Sequence, residues 1–584
     1  MSRVGLISIC VLALLAACEP ADYADNGGEG NFGIKLLPAS STCSGNADPV
    51  AMGEIGITVV DPSVTPAEVL ASDSFGGSKT KISLSVPEGK GLELSVLGWS
   101  QDDEPVPLYI ARARSVTVQA DKTTQLKLSL NRLGGFSCVD TPSSAPNLMF
   151  PSTTALPDGR VLVTGGYTKV ADNGDRFEIL GATNKAYIFD PATNGIRQIN
   201  KVMNLARGAH SAIYLPQKQQ VLIVGGSERL FYDKTAISMP LYFEKGKVGA
   251  VGATYELFDT ITEEFIPYSA WPDETTRLVY NKNRVMPILS LNTDGTVLVT
   301  GGGMWPTPKG AVETDTDYRY AEIYRPQSPT YSGGFQDTDG ALAMTTLRTG
   351  HASALLEVKD KLSYHLFFGG NMEGAVAEIY QESSGQLDGN WGLFKPVSFL
   401  DGTSYSKKPY FATLTPLSSR RFLLAGGLHN ANGKLKTPSS GDTYLVIADS
   451  THRLDMEQIS GLTVGRYLHS AGSWDAQHVA IFGGLTSEPS GEDTVFSINA
   501  TGDIRVFDLK AKAFMNITGE DPANPRAGHG TTLLPNDCFL FVGGVEKIGE
   551  NLQNGSFVPG LSSDIYCPSV LCPSGLWDAG CYQE

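Results

Sequence analysis

The run Val161-Leu162-Val163-Thr164-Gly165-Gly166 decides the fold, because six variants of it follow along the chain. They are VLIVGG (Gly225, Gly226), VLVTGG (Gly301, Gly302), HLFFGG (Gly369, Gly370), FLLAGG (Gly426, Gly427), VAIFGG (Gly483, Gly484) and FLFVGG (Gly543, Gly544). Successive first glycines stand 60, 76, 68, 57, 57 and 60 residues apart. An apolar run closed by a glycine pair and repeated at such a period signals a repeat architecture.

Each unit has four parts. A polar-to-small strand such as His210 to Leu215 comes first, and the apolar run follows. A third strand comes next, seen as Ala186 to Asp190, Tyr255 to Asp259, Ala321 to Arg325, Ala377 to Tyr380, Thr443 to Ile447, Ile504 to Asp508 and Asp564 to Cys567. The fourth is looser, as at Ile196 to Ile199. Before several first strands lies an Arg/His element: Arg207-Gly208-Ala209-His210, Arg348-Thr349-Gly350-His351, Arg466-Tyr467-Leu468-His469 and Arg526-Ala527-Gly528-His529, with Arg284 standing in for it in the third unit.

This pattern resembles the kelch repeat over roughly residues 136 to 570, although the tryptophan of that family is mostly missing. The resemblance implies a seven-bladed β-propeller, whose radial closure removes long free edges. The apolar second strands suit blades buried on both faces. The glycines suit a crowded strand end where a Cβ would clash. The Arg/His element reads as a set of hydrogen bonds between blades, with ligand contact as the alternative.

Alignment of the repeats places Cys138 opposite Arg197, in a fourth strand. Phe136 to Val139 should therefore be the outer strand of the last blade, contributed by the segment that precedes the first.

Ahead of the repeats, period-two alternation marks half-buried strands: Ile55/Ile57/Val59, Ile82/Leu84/Val86, Leu92/Leu94/Val96, Val116/Val118 and Leu126/Leu128/Leu130. They predict a β-sandwich, immunoglobulin-like or prealbumin-like, over 31–135. The fold class is thus all-β: a small N-terminal sandwich followed by a seven-bladed kelch-like propeller at 136–570, with a Cys-containing tail at 571–584.

The first residues set the expected compartment. Arg3 precedes the apolar run Val4 to Leu15, too short to span a bilayer, and small residues lead to Cys18. The tetrad Leu15-Ala16-Ala17-Cys18 resembles the lipobox of bacterial lipoproteins. That resemblance implies a signal peptide at 1–17, a lipidated Cys18 and a tether at 18–30. Glu19 after the cysteine implies, by the same resemblance, sorting to the outer membrane. Membrane attachment through several acyl chains is then the expected localisation in the cell envelope.

Six cysteines remain for an exported body: Cys43, Cys138, Cys538, Cys567, Cys572 and Cys581, enough for three disulfides. One pairing staples the ring seam through Cys138 and Cys567. The other joins Cys43 to Cys138 and Cys538 to Cys567, and is preferred because it gives Cys43 a partner. Cys572–Cys581 belongs to both.

A formal net charge of −17 argues against nucleic acid, which needs a basic stripe. No zinc-ligand spacing occurs. Galactose oxidase is a kelch-type propeller, but its copper site needs Tyr and His ligands and a Cys–Tyr crosslink. Tyr364-His365 is the only Tyr-His dipeptide here, and adjacent strand residues point to opposite faces. No cofactor is expected.

The long insertions, Ser227 to Thr254 among them, fall after second strands and so on one face. They predict a binding surface for a protein or glycan of the envelope. Phe231, Tyr232, Tyr242, Phe243 and Trp305 are its candidate anchors, and Arg207, Arg284, Arg348, Arg466 and Arg526 belong to the same candidate face. The expected role is a non-catalytic binding or scaffold lipoprotein. The alternatives are an enzyme with an axial pocket and a purely structural component.

Overall fold

The computed structural model describes residues 28–568, apart from 38–50, 65–66, 175, 234–240, 243–249, 269–277, 279–282, 303–318, 329–332, 339, 372, 385–389, 401–404, 432–433, 437–441, 463, 488–497, 516–524, 549–555 and 558–562. Seven four-stranded antiparallel sheets carry the repeats, six of them ordered inner to outer along the chain. Blade 1 is Ser152–Ala155, Val161–Thr164, Ala186–Asp190 and Gly195–Gln198. The inner strands of blades 2 to 6 are Ser211–Leu215, Ile288–Leu291, Ala352–Lys359, Thr413–Pro416 and Ser470–Ser473. Blade 7 is Gly530–Leu533, Phe539–Val542 and Ser563–Cys567, completed by Gly135–Cys138 from ahead of blade 1. Its inner strand touches that of blade 1, so the ring closes.

The second strands hold the ring together because they have two apolar faces. Val161 and Val163 pack with Leu540 and Val542 of blade 7, whereas Leu162 packs with Val221 and Ile223 of blade 2. The same alternation runs on. Leu222 and Val224 meet Val297 and Val299, Leu298 meets Phe367, and Leu366 and Phe368 meet Phe422 and Leu424. Leu423 and Ala425 then meet Val479 and Ile481, and Ala480 and Phe482 meet Phe539 and Phe541. Each junction is one shared core, and each fully buried aliphatic or aromatic side chain stabilises it by roughly 1.5–3 kcal/mol.

The glycine pairs weld the same junctions. Gly165 (φ +58°) and Gly166 (φ +107°) lie in a region that favours glycine, and a Cβ on Gly165 would sit 2.2 Å from the Arg207 carbonyl oxygen. The Gly166 amide donates to that carbonyl at 2.9 Å. Equivalent bonds link Gly226 to Arg284, Gly370 to Pro409, Gly427 to Arg466, Gly484 to Arg526 and, across the seam, Gly544 to Leu148.

The sandwich pairs a three-stranded sheet (Lys81–Pro87, Glu29–Leu37, Thr123–Ser129) with a five-stranded one running from Glu68–Gly76 to Asn131–Arg132. One core holds Phe32, Ile57, Leu84, Leu94 and Val116. The first strand begins at Glu29, so residues 29 and 30 of the stretch expected as a tether belong to the sandwich. Gly30 belongs in that strand because a Cβ there would lie 2.4 Å from the Gln119 carbonyl oxygen.

The sandwich docks on the hairpin-turn face of the ring, at the seam. Ile110 enters the core between blades 7 and 1. Asn194, in an outer turn of blade 1, donates to Asn131 Oδ1 at 2.7 Å. Asp537, in the inner turn of blade 7, pairs with Arg112 and, at 3.1 Å, with Arg114, while Glu93 balances both arginines at 3.1 and 3.3 Å. Burial pushes the Asp537 carboxyl up, against the pull of the two guanidiniums.

The cysteines overturn the seam staple. Cys538 and Cys567 bond to each other across adjacent strands of blade 7. Cys138 is also disulfide-bonded, with a partner outside the described residues. Cys567 faces Gly135 in the seam pairing, whereas Cys138 faces Asp564 three residues away. Cys18, Cys43, Cys572 and Cys581 lie outside the described residues.

Candidate functional site

The face opposite the sandwich carries the insertions. Those of blades 6, 7, 1 and 2 fold onto one another. The insertions of blades 1 and 2 make one four-stranded sheet: Tyr167–Asp172, Arg176–Ala182, Leu230–Asp233 and Leu241–Tyr242. Those of blades 6 and 7 make another, in which Leu485–Ser487 and Ile498–Ala500 pair onward to Val545–Ile548. Both sheets share one buried core with residues at the mouth of the ring: Phe177, Ile179, Phe231, Tyr232, Leu485 and Val545 pack with Phe150, Tyr410, Phe411 and Tyr467. This cap straddles the seam.

The expected aromatic anchors are therefore corrected. Phe231, Tyr232 and Tyr242 are 0, 2 and 7% exposed. Tyr232 shares a sheet face with Phe177 and Leu241, whereas Phe231 and Tyr242 share the other, stacked at 5.5 Å with the Arg176 guanidinium over Phe231 at 4.5 Å. For Tyr232 the ring mouth supplies the apolar surface, in one core with Tyr410 and Tyr467. Phe243 and Trp305 lie outside the described residues.

The five arginines are corrected as well. Arg207, Arg284, Arg348 and Arg466 are fully buried and Arg526 nearly so. Each turns inward within its own blade and donates to the carbonyl of that blade's first glycine: Gly225 (2.7 Å), Gly301 (2.6 Å), Gly369 (2.6 Å), Gly483 (3.1 Å) and Gly543 (3.4 Å). Each also meets an acid: Glu256 at 2.7 Å, Glu322 at 2.9 Å, Glu378, Asp503 at 2.7 Å, and Asp564. Burial draws Arg348 and Arg466 down from the usual guanidinium range, opposed by those acids. A paired, desolvated charge serves the interior and not a ligand.

The histidines of the same element do what was expected of the whole element and bridge blades. Nε2 of His210, His351, His469 and His529 meets Thr164 (2.8 Å), Thr300 (3.1 Å), Thr413 (3.0 Å) and Ser470 (2.8 Å), each in the preceding blade. In all four, Nδ1 is buried without a hydrogen-bond partner among the described residues. Burial, helped by the neighbouring arginine, pushes each down to about 3.

The acid partners went unread in the sequence, yet the signal was there. Blades 2, 3, 4 and 7 place Glu256, Glu322, Glu378 and Asp564 second in the third strand, as in YELFD and AEIY. Blade 1 has Leu148 for the arginine and Tyr187 for the acid. Blade 5 has Pro409, and there Lys407 meets Asp442 at 2.5 Å and the Tyr444 hydroxyl at 3.3 Å.

A second missed feature is the axial ring. The residue two beyond each arginine position has positive φ: Phe150, Ala209, Met286, Gly350, Phe411, Leu468 and Gly528, all between +51° and +58°. Their amides pass hydrogen bonds from blade to blade, Phe150 to Gly528, Ala209 to Phe150, Met286 to Ala209, Phe411 to Gly350 and Gly528 to Leu468. Below the cap Phe150, Ala209, Met286, Leu468 and Gly528 line a cavity of about 220 Å³ with Pro151, His210, His469 and His529. It offers apolar side chains and neutral imidazoles. Tyr364 and His365 sit elsewhere, on the second strand of blade 4, with His365 buried against Tyr380. Among the described residues no three His, Cys, Asp or Glu gather where they could hold a metal ion. No described helix is long and apolar enough to cross a membrane.

No family model and no curated protein matches the chain. Among solved structures, it is similar to a fungal alcohol oxidase described as having catalytic diversity among the AA5 family, in complex with copper. The identity is 13% and the TM-score 0.44, over 74% of this chain and 76% of that one. It is also similar to YjhT, at 10% identity and a TM-score of 0.34, over 72% of this chain and 99% of that one. At these values the likeness brings no activity or ligand to this chain, whose propeller fold stands on its own sheet order and ring closure.

Proposed function

We propose that the protein is a non-catalytic binding or scaffold component of the cell envelope, held by lipid on Cys18 and engaging a protein or glycan through the outer surface of the insertion cap. The observation that carries this reading is the cap itself. Four insertions from blades 6, 7, 1 and 2 are ordered into two sheets over a common core, on the face turned away from the sandwich. Insertions gathered on one face of a repeat protein usually build its binding surface.

The test places a photo-crosslinking residue at Lys169 or Glu228 in the cap, and at Ile261 in a turn on the opposite face. A defined envelope adduct from the cap positions and none from position 261 supports the reading. Equal adducts from both faces, or none, count against it. Loss of palmitate labelling in Cys18→Ser tests the anchor.

A second reading is an enzyme that uses the axial cavity, favoured by its three imidazoles. Saturable turnover of a small substrate that is lost in His469→Gln, with the cap positions silent in crosslinking, would establish it instead.

A further inference from the structure

We propose that the histidines at four blade junctions form an acid-operated clasp, and that proton uptake frees blade 6 before the rest of the ring. His210, His351, His469 and His529 close junctions 1/2, 3/4, 5/6 and 6/7 through hydroxyl groups of the preceding blade. The remaining junctions carry Pro287, Ala412 and Pro151 at that position. Blade 6 alone has a histidine of this set at both of its junctions.

A neutral imidazole satisfies such a site with Nε2 alone. A protonated one must donate from both nitrogens. Here Nδ1 has no acceptor among the described residues, and the atom is buried. The charged groups facing each ring are repulsive: Arg207, Arg348, Arg466 and Arg526 three residues upstream, and His469 itself for His529. The acids of the same elements, Glu256, Glu378, Asp503 and Asp564, are paired with those arginines. The Ala425 carbonyl beside His469 is the one acceptor that favours the charged ring there. Phe367 and Phe541, with centroids 5.7 Å from His351 and His529, offer none.

The sign follows from linkage. These groups are held below their unfolded value, so the closed junction binds fewer protons than the open one. Stability is complete above about pH 6.5 and is lost as pH falls toward the folded values near 3. Each histidine raises the opening constant by up to about tenfold per pH unit below 6.5, so two should give roughly a thousandfold at pH 5.0.

The test is hydrogen exchange on the full chain at pH 7.5 and 5.0, corrected for intrinsic rates. Peptides over His478–Phe482 and Ile504–Asp508 should lose protection far more than those over Val297–Thr300. The pair His469→Gln and His529→Gln, which keeps a hydrogen bond to each hydroxyl without a titrating ring, should abolish the pH response. His452→Gln, in an outer turn, should leave it intact. Unchanged protection of blade 6 at pH 5.0 would overturn the proposal, as would a wild-type response in the double variant. Should that variant not fold, the wild-type imidazole resonances decide. Titration of His469 and His529 near pH 6.5 in the folded protein overturns the clasp, and silence down to pH 5 supports it.

Discussion

Removing one arginine from the repeat should cost more than its place near a loop suggests. Arg207 is fully buried, and its guanidinium donates to the Gly225 carbonyl at 2.7 Å, Thr254 Oγ1 at 3.1 Å and Glu256 Oε1 at 2.7 Å. Glu256 also accepts from the Asn204 amide at 2.6 Å, the Asn204 side chain at 2.9 Å and the Leu205 amide at 3.1 Å. Arg207→Met strands a buried carboxylate that retains only those neutral donors. Breaking a buried ion pair from one side costs about 3–5 kcal/mol. The surviving donors place the expected loss near 3 kcal/mol, a large fraction of ordinary domain stability. Glu256→Gln should destabilise for the mirror reason, since Arg207 keeps its charge without its counter-ion. The double variant should lose clearly less than the sum, because no uncompensated charge remains. The assay is urea unfolding of the soluble body for all four proteins, read as a double-mutant cycle. A single-variant loss below about 1 kcal/mol would refute the argument, and so would additivity within a few tenths of a kcal/mol. Blade 1 is a natural control. It closes with Leu148 and Tyr187 at the two positions, so the pair is not required by the fold as such.

Two further outcomes are expected. Asp537→Asn removes one of the acids paired with buried Arg112, so the sandwich should dock more loosely. Limited proteolysis at the stretch joining sandwich and ring should then run faster, while the ring keeps its own unfolding midpoint. Gly226→Ala should destabilise the 2/3 junction by several kcal/mol, because its φ is +99° and a Cβ would sit 2.7 Å from the Gly208 carbonyl oxygen. An unchanged thermal midpoint for that variant would remove the glycine pairs from the account of ring closure.

Period and blade count were legible because the second strand and its glycine pair answer to local rules: two buried faces, then a positive φ. The seam strand was legible for the same reason, since repeat phase places Cys138 in a fourth strand without reference to its partner. The site was not legible in that way. Arg207 and Tyr232 look like exposed polar and aromatic loop residues, and only tertiary packing shows the first closing on a glycine carbonyl and the second buried in the core that the cap shares with the ring mouth. The acid of each arginine pair could have been found by asking which third strands gain Glu or Asp when the blade has Arg. The cap could not, because strands such as Arg176–Ala182 and Leu230–Asp233 come from different blades and carry no repeat signature.

The strand Gly135–Cys138 pairs with Ser563–Cys567, a partner made more than 400 residues later. During synthesis that outer strand is present first and waits for the rest of blade 7. Closing a loop of that length costs roughly 5 kcal/mol in chain entropy by the logarithmic law, and non-local pairing of this kind slows folding. The sandwich, with a core of its own, is complete by then and holds the waiting strand beside Arg112 and Asn131, which later receive Asp537 and Asn194. It therefore acts as an assembly jig, setting the place where the ring will meet itself before most of the ring exists.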